Sequence, residues 1–252
     1  MSFLHEQALL LQFSTTDIIL SALVFIWTGF VRSGLGFGGA ALGLPLMLFI
    51  HDQPLFWLPV IGFHLLFFSG LTLRTRIRQV DWPYLRKALM FIIPAAIAGV
   101  FGLLNIPNQW LLVFIYSITL TYGLMWLANL KIQSNRDWLD RTLLVAGGYV
   151  AGTSLTGAPL MVAVFMRHVA QSMLRNTLFV LWITLVTIKM VTFAALDVDL
   201  HFYSSLLLVP LAAVGHIAGL KVHDMILQNP VMFQRVVGGM LTGICILGLV
   251  YL

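Results

Sequence analysis

Apolar runs punctuated by short polar connections set the plan of the chain. Residues 55–73, 84–104, 110–130, 176–196, 202–220 and 233–252 are each strongly apolar and close to the ~20 residues that cross a bilayer at 1.5 Å per residue. These six segments are predicted to be transmembrane helices. A further stretch, residues 29–48 (GFVRSGLGFGGAALGLPLML), breaks the template, because it holds six glycines (Gly29, Gly34, Gly36, Gly38, Gly39, Gly43), one arginine and one proline. Glycine weakens a helix by roughly 1 kcal/mol per residue, so residues 33–39 are predicted to be non-helical. The flanking arms, 17–31 and 36–50, have 15 residues each. Each is too short to cross alone. Non-helical backbone at membrane depth is tolerated only where protein buries it or where it lines a watery cavity, so the stretch predicts both a broken hairpin and a cavity.

Residues 147–166 (GGYVAGTSLTGAPLMVAVFM) form a second copy of the same device. A shift of 119 residues places Gly148 on Gly29, Tyr149 on Phe30, Val150 on Val31 and Gly157 on Gly38. Its arms, 142–152 and 157–166, are shorter still. The chain therefore divides into an N-terminal segment (1–16), a first repeat (17–130: hairpin 17–50, helices 55–73, 84–104 and 110–130), a linker (131–141) and a second repeat (142–252: hairpin 142–166, helices 176–196, 202–220 and 233–252). A hairpin adds no net crossing and each repeat crosses three times, so the second repeat starts on the opposite side and runs inverted, as in many transporters. The predicted fold is an all-α polytopic membrane protein of two inverted repeats, each a broken, re-entrant helix hairpin plus three transmembrane helices.

Composition agrees with that class: 60% of residues are hydrophobic and 9% charged, against about 25% charged in soluble domains. Residues 1–12 lack the basic start and small-residue cleavage site of a signal peptide. Cys245 is the single cysteine, so it has no disulfide partner and reads as a packing residue. Charge orients the chain. Under the predicted topology Arg74, Arg76, Arg78, Arg86, Lys87, Lys131, Arg136, Arg141, Arg167, Arg175, Lys221 and Arg235 all fall on one side, which marks the cytoplasmic face. Both termini are then periplasmic, in a bacterial inner membrane. The basic residues are scattered over short loops, so the net charge of +5 reports orientation, and no nucleic-acid partner is expected.

Two cations are left over. Arg32 sits at the first break and Lys189 inside the span 176–196; charge in a span usually marks a pathway or site. Two alternatives stay open: Arg32 as a surface loop residue if 17–31 crosses fully, and Lys189 snorkelling past Leu196. In each hairpin the second half-helix starts just after the glycines, so two amide-rich, positive helix starts point at mid-membrane from opposite faces. The candidate substrate-binding residues are Arg32, Ser33, Gly34, Gly36, Gly38 and Gly39 at the first break, Thr153, Ser154, Thr156 and Gly157 at the second, and Lys189. Together they call for a small oxyanion. His64 and His216, mid-span, are candidates for proton coupling, with a bond to a neighbouring carbonyl as the plainer alternative. Trp57, Trp82, Trp110 and Trp138 at span ends read as interfacial anchors, and Trp182 shares a helical face with Lys189. No catalytic set is found: the carboxylates lie outside the spans or at their ends, and there is no H-E-x-x-H. No metal or cofactor is expected. The expected partners are a small anion, the lipid bilayer and protons; nothing in the sequence decides between monomer and homodimer.

The pattern GF-V-x-S-G-x-x-G-x-G-G-x followed by L-x-x-P-L, with its degenerate second copy, resembles the sulfite exporter TauE/SafE family of membrane anion permeases over nearly the whole chain. That resemblance implies a permease for sulfur oxyanions or sulfonates such as sulfite or sulfoacetate, with Gly34, Gly36, Gly38, Gly39, Gly152 and Gly157 as its motif glycines. The chain departs from the family pattern at Arg32, where a small residue is common, and at Leu155 and Thr156, where glycine and an aliphatic are usual. No cysteine lies near either break, which turns the expectation from thiosulfate toward sulfite or a sulfonate held by charge and hydrogen bonds. The competing readings are a passive anion channel and a membrane enzyme acting on an anionic headgroup.

Overall fold

The computed structural model describes residues 13–35, 39–130, 132–228 and 230–252. Among them there are ten α-helices and no strands: α1 (Thr15–Leu35), α2 (Gly39–Ile50), α3 (Pro54–Leu73), α4 (Trp82–Asn105), α5 (Asn108–Leu127), α6 (Asp137–Ser154), α7 (Ala158–His168), α8 (Gln171–Ala195), α9 (Phe202–Gln228) and α10 (Pro230–Val250). Seven are long and apolar enough to cross a membrane, namely α1, α3, α4, α5, α8, α9 and α10. The protein is a multi-span membrane protein, and its short helices α2 and α7 have only 12 and 11 residues.

The connections gather at two opposite ends. At one, the Phe13 ring packs on His51 and Phe56 at 5.6 and 5.7 Å, Asn108 donates to the Asp52 carbonyl at 2.9 Å, and His201 lies 4.6 Å from Phe56. At the other, the Asp81 amide donates to the Thr177 hydroxyl, Asn176 donates to Gln79, and Tyr84 stacks on His168 at 4.8 Å. The predicted basic loops belong to this second end, called the basic end below.

Small residues decide the pairings between helices. Helix α9 packs along α1, α4 along α6, α10 along α5, and α3 crosses α8. A Cβ on Gly29 would run into the Ala212 carbonyl oxygen of α9, and one on Gly99 into the Tyr149 carbonyl of α6. Without glycine there, those backbones would have to part, and close approach is what holds helices together in lipid.

Four expectations need correction. Ser33 and Gly34 were predicted to be non-helical, but α1 continues through Leu35. The close seat of α9, whose Gly219 meets the Phe30 carbonyl and the Gly34 amide, outweighs glycine's weak preference. Gly39 likewise opens α2, and Gly36 and Gly38 lie outside the described residues. The arm 17–31 was predicted to be too short to cross, yet α1 has 21 residues. Helix α6 begins at Asp137, inside the predicted linker, because Asp137 and Asp140 suit a helix first turn. Trp57, predicted as an anchor, is buried and donates to the His51 carbonyl at 2.8 Å.

Candidate functional site

Residues flanking both helix breaks line one cavity of about 40 Å³. Helix α1 contributes Thr28 and Arg32, α2 contributes Gly39 and Ala40, α6 contributes Ala151, and Leu155 and Ala158 come from the second break. The remaining wall is formed by Ile61, His64, Leu65 and Ser69 of α3 and by Phe179, Trp182, Leu185 and Val186 of α8. These positions lie in the middle or later half of two crossing helices, so the cavity is well inside the protein. At about 10–15 Å³ of such space per water, it holds a group the size of a few waters.

Four of the five unpartnered side-chain atoms on its wall can donate a hydrogen bond, and the fifth is His64 Nε2. Arg32 is buried on the last turn of α1, where the helix carbonyls favour a cation. Its guanidinium lies 4.4 Å above the Phe68 ring, and Nη1 donates to the His64 carbonyl at 3.4 Å. The other edge, Nε and Nη2, has no partner. Neither do the Ser69 hydroxyl and the Trp182 indole nitrogen, both buried and both on the same wall. Four donor atoms from α1, α3 and α8 are thus left unsatisfied around one cavity. An unsatisfied buried donor costs about 1–3 kcal/mol, so these atoms together favour an acceptor in the cavity. No described carboxylate pairs with Arg32 or with Lys189, and the missing countercharge has the same remedy.

The family model for sulfite exporter TauE/SafE matches residues 21–248 of the 252. The chain belongs to the TauE/SafE family. No curated protein sequence and no solved structure matches it. Its membership makes it a member of a transporter family, which agrees with its seven crossing helices.

This TauE/SafE chain distributes the predicted site residues unevenly. Arg32 and Gly39 line the cavity, and Arg32 is not a surface residue. Lys189 is 1% exposed, and its amine donates to the Thr153 carbonyl in the last turn of α6 at 3.3 Å. It does not snorkel, and it lies beside the cavity without lining it. The three second-break hydroxyls are engaged elsewhere: Thr153 donates to Tyr149 and Gly99 carbonyls, Ser154 to the Val150 carbonyl, and Ser154 and Thr156 share a bond of 2.7 Å. In an apolar interior a threonine or serine satisfies its own helix first. Gly34 is buried in the α1–α9 contact, and Gly157 caps α7 against the Gly147 carbonyl. Ser33 faces away from the cavity and hydrogen bonds to His216 Nδ1. His64 donates from Nδ1 to the Val60 carbonyl at 2.8 Å.

The two histidines, predicted from separate segments, meet around one ring. Phe68 lies 6.4 Å from His64 and 5.0 Å from His216, with Arg32 on its face. Leu155, the departure from the TauE/SafE pattern, keeps a left-handed backbone with φ of 60°. That conformation costs a non-glycine residue roughly 1–2 kcal/mol, and it turns the chain between α6 and α7 with the leucine on the cavity wall. The sequence did not single out Ser69, and Trp182 was noticed only by its helical phase.

Proposed function

We propose that the protein is a secondary transporter that carries a small sulfur oxyanion or short organosulfonate, such as sulfite or sulfoacetate, across the inner membrane. The observation that carries the reading is the free Nε and Nη2 edge of Arg32 at a cavity that also has unpartnered donors on Ser69 and Trp182. Two parallel N–H groups on one guanidinium edge match two oxygens of a sulfonyl or sulfite head, and such bidentate pairs are among the strongest hydrogen bonds available to a protein. The starts of α2 and α7 add positive potential at the same place. The apolar rest of the wall and the small volume favour a compact head over a long chain.

Placing the basic end in the cytoplasm follows the distribution of loop cations and puts both termini in the periplasm. His64 and His216, on either side of Phe68 beside Arg32, are the groups through which a proton gradient would act. The test is binding of sulfite, sulfoacetate, taurine, thiosulfate and sulfate to purified protein, read as thermal shifts, followed by uptake into proteoliposomes. Arg32→Gln removes two charge-assisted bonds and should weaken binding by about 3 kcal/mol or more, roughly 10²-fold, with the protein still folded. Arg32→Lys should recover only part of that, because a lysine is a point donor without the flat edge. Unchanged uptake by Arg32→Gln contradicts the assignment.

A further inference from the structure

The two short helices occupy equivalent positions in the repeats but different surroundings. Helix α2 packs directly on α5 and α10, with Phe49 closing on the Tyr116 ring at 5.9 Å. Helix α7 is separated from the same pair by a groove of about 540 Å³ at the basic end, lined by Pro159, Ala163 and Met166 on one side and Tyr122, Gln133 and Gln234 on the other. The shift of 119 residues sets Met47 on Met166 and Leu44 on Ala163. Met47 is fully buried, whereas Met166 is 65% exposed; Leu44 is buried, whereas Ala163 is partly exposed. Equivalent residues have therefore been sealed on one side of the molecule and left open on the other.

The groove and the central cavity share the start of α7. Pro159 lines the groove, and the adjacent Ala158 lines the central cavity. Its wall is not purely apolar, since the Tyr122 hydroxyl is buried without a partner and the amides of Gln133 and Gln234 join it. Those groups need water or an anion to bond. Acyl chains cannot serve them. At its far end α7 is tied to the start of α6, because Arg167 binds Asp140 and Asp137 at 2.6 and 3.2 Å and His168 binds Asp140 at 2.7 Å.

We infer that this groove is the hydrated path by which the anion passes between the basic end and the central cavity, and that α7 is its moving wall, closing onto α5 and α10 as α2 is closed now. The inference rests on the transporter reading above and adds the route and the gate. A protein open to one end at a time is a carrier and not a channel, and the asymmetry between α2 and α7 is what such a cycle requires of two equivalent elements.

The test uses the full chain in a Cys245→Ala background. In inside-out vesicles, Ala163→Cys should react with an anionic, membrane-impermeant maleimide, and sulfite uptake measured after the reagent is washed out should be lost. Leu44→Cys should react with neither this reagent nor a lipid-soluble one. Reaction of Ala163→Cys only with the lipid-soluble maleimide, or full uptake after complete labelling, overturns the path. A disulfide between Met166→Cys and Gln234→Cys should form under mild oxidant, stop uptake and be reversed by reductant; its failure to form, or uptake that survives it, overturns the gate. Anion binding measured on Arg32→Gln is independent of these readouts, so a lipid-filled groove with Arg32-dependent binding sinks this inference alone.

Discussion

Arg32 shows how a single charge is made usable inside a membrane protein. The C-terminal carbonyls of α1 and the face of Phe68 stabilise the cation, and one nitrogen is held by the His64 carbonyl. What stays free is the edge that can grip an oxyanion. Ser69 and Trp182 complete the set, and they allow a test in which binding and stability move in opposite directions. Ser69→Ala and Trp182→Phe each remove an unsatisfied buried donor, so the anion-free protein should melt at a higher temperature. Each should also weaken anion binding by about 1 kcal/mol, roughly fivefold. A merely structural role predicts loss of stability instead. Arg32 was legible in the sequence because a charge has few reasons to sit in an apolar stretch, whereas serine and tryptophan have many, and only the crossing of α3 and α8 brings Ser69 and Trp182 to one wall. The hydroxyls of Thr153, Ser154 and Thr156 read as donors by their spacing, but carbonyls take Thr153 and Ser154, and Thr156 is bonded to Ser154.

At the scale of helices, glycine had two meanings that the sequence could not separate. At the first break it signals interruption, and α2 does begin at Gly39; elsewhere it signals contact. Gly99→Ala would press a methyl group against the Tyr149 carbonyl and the Thr153 amide, which cannot rotate away, and should cost about 1–3 kcal/mol. Gly70→Ala meets nothing within 4 Å and should gain about 0.5–1 kcal/mol from helix preference alone. Melting temperatures in detergent check the pair. The tie between α6 and α7 is electrostatic and has a pH signature. Burial pushes the Asp140 carboxyl up, but hydrogen bonds from Ser134 and His168 and the charge of Arg167 outweigh it, leaving the carboxyl below its usual range. A carboxylate with a depressed pKa stabilises the fold above the ordinary carboxylate range and loses that contribution as pH falls through the depressed value. Asp140→Asn should therefore lower the melting temperature at neutral pH and flatten its decline below about pH 4. An unchanged acid limb would exclude the tie as a source of stability.

The pairings across the whole molecule map onto one another when the two halves are exchanged. Exchanging each element for its counterpart turns the α1–α9 pair into α6–α4 and leaves α5–α10 and α3–α8 as themselves, which is the set of pairings that packs. The register agrees: Gly219 faces the Phe30 carbonyl and the Gly34 amide, and Gly99 faces the Tyr149 carbonyl and the Thr153 amide, each a step of 119 or 120 residues from its counterpart. Six of the seven helices long enough to cross were readable from hydropathy, because lipid imposes their length. The depth of the breaks was not, since α1 proved long enough to cross. A second copy run inverted, as proposed, would return the last helix to the end where Phe13 meets His51 and Phe56, opposite the basic loops. A reporter enzyme that matures only in the periplasm should therefore be active when fused after Leu252 and inactive when inserted between Gln133 and Ser134, with a fluorescent reporter that matures in the cytoplasm giving the reverse. Cytoplasmic signal from both fusions would require an even number of crossings between those points, which three crossing helices and one closed hairpin cannot supply.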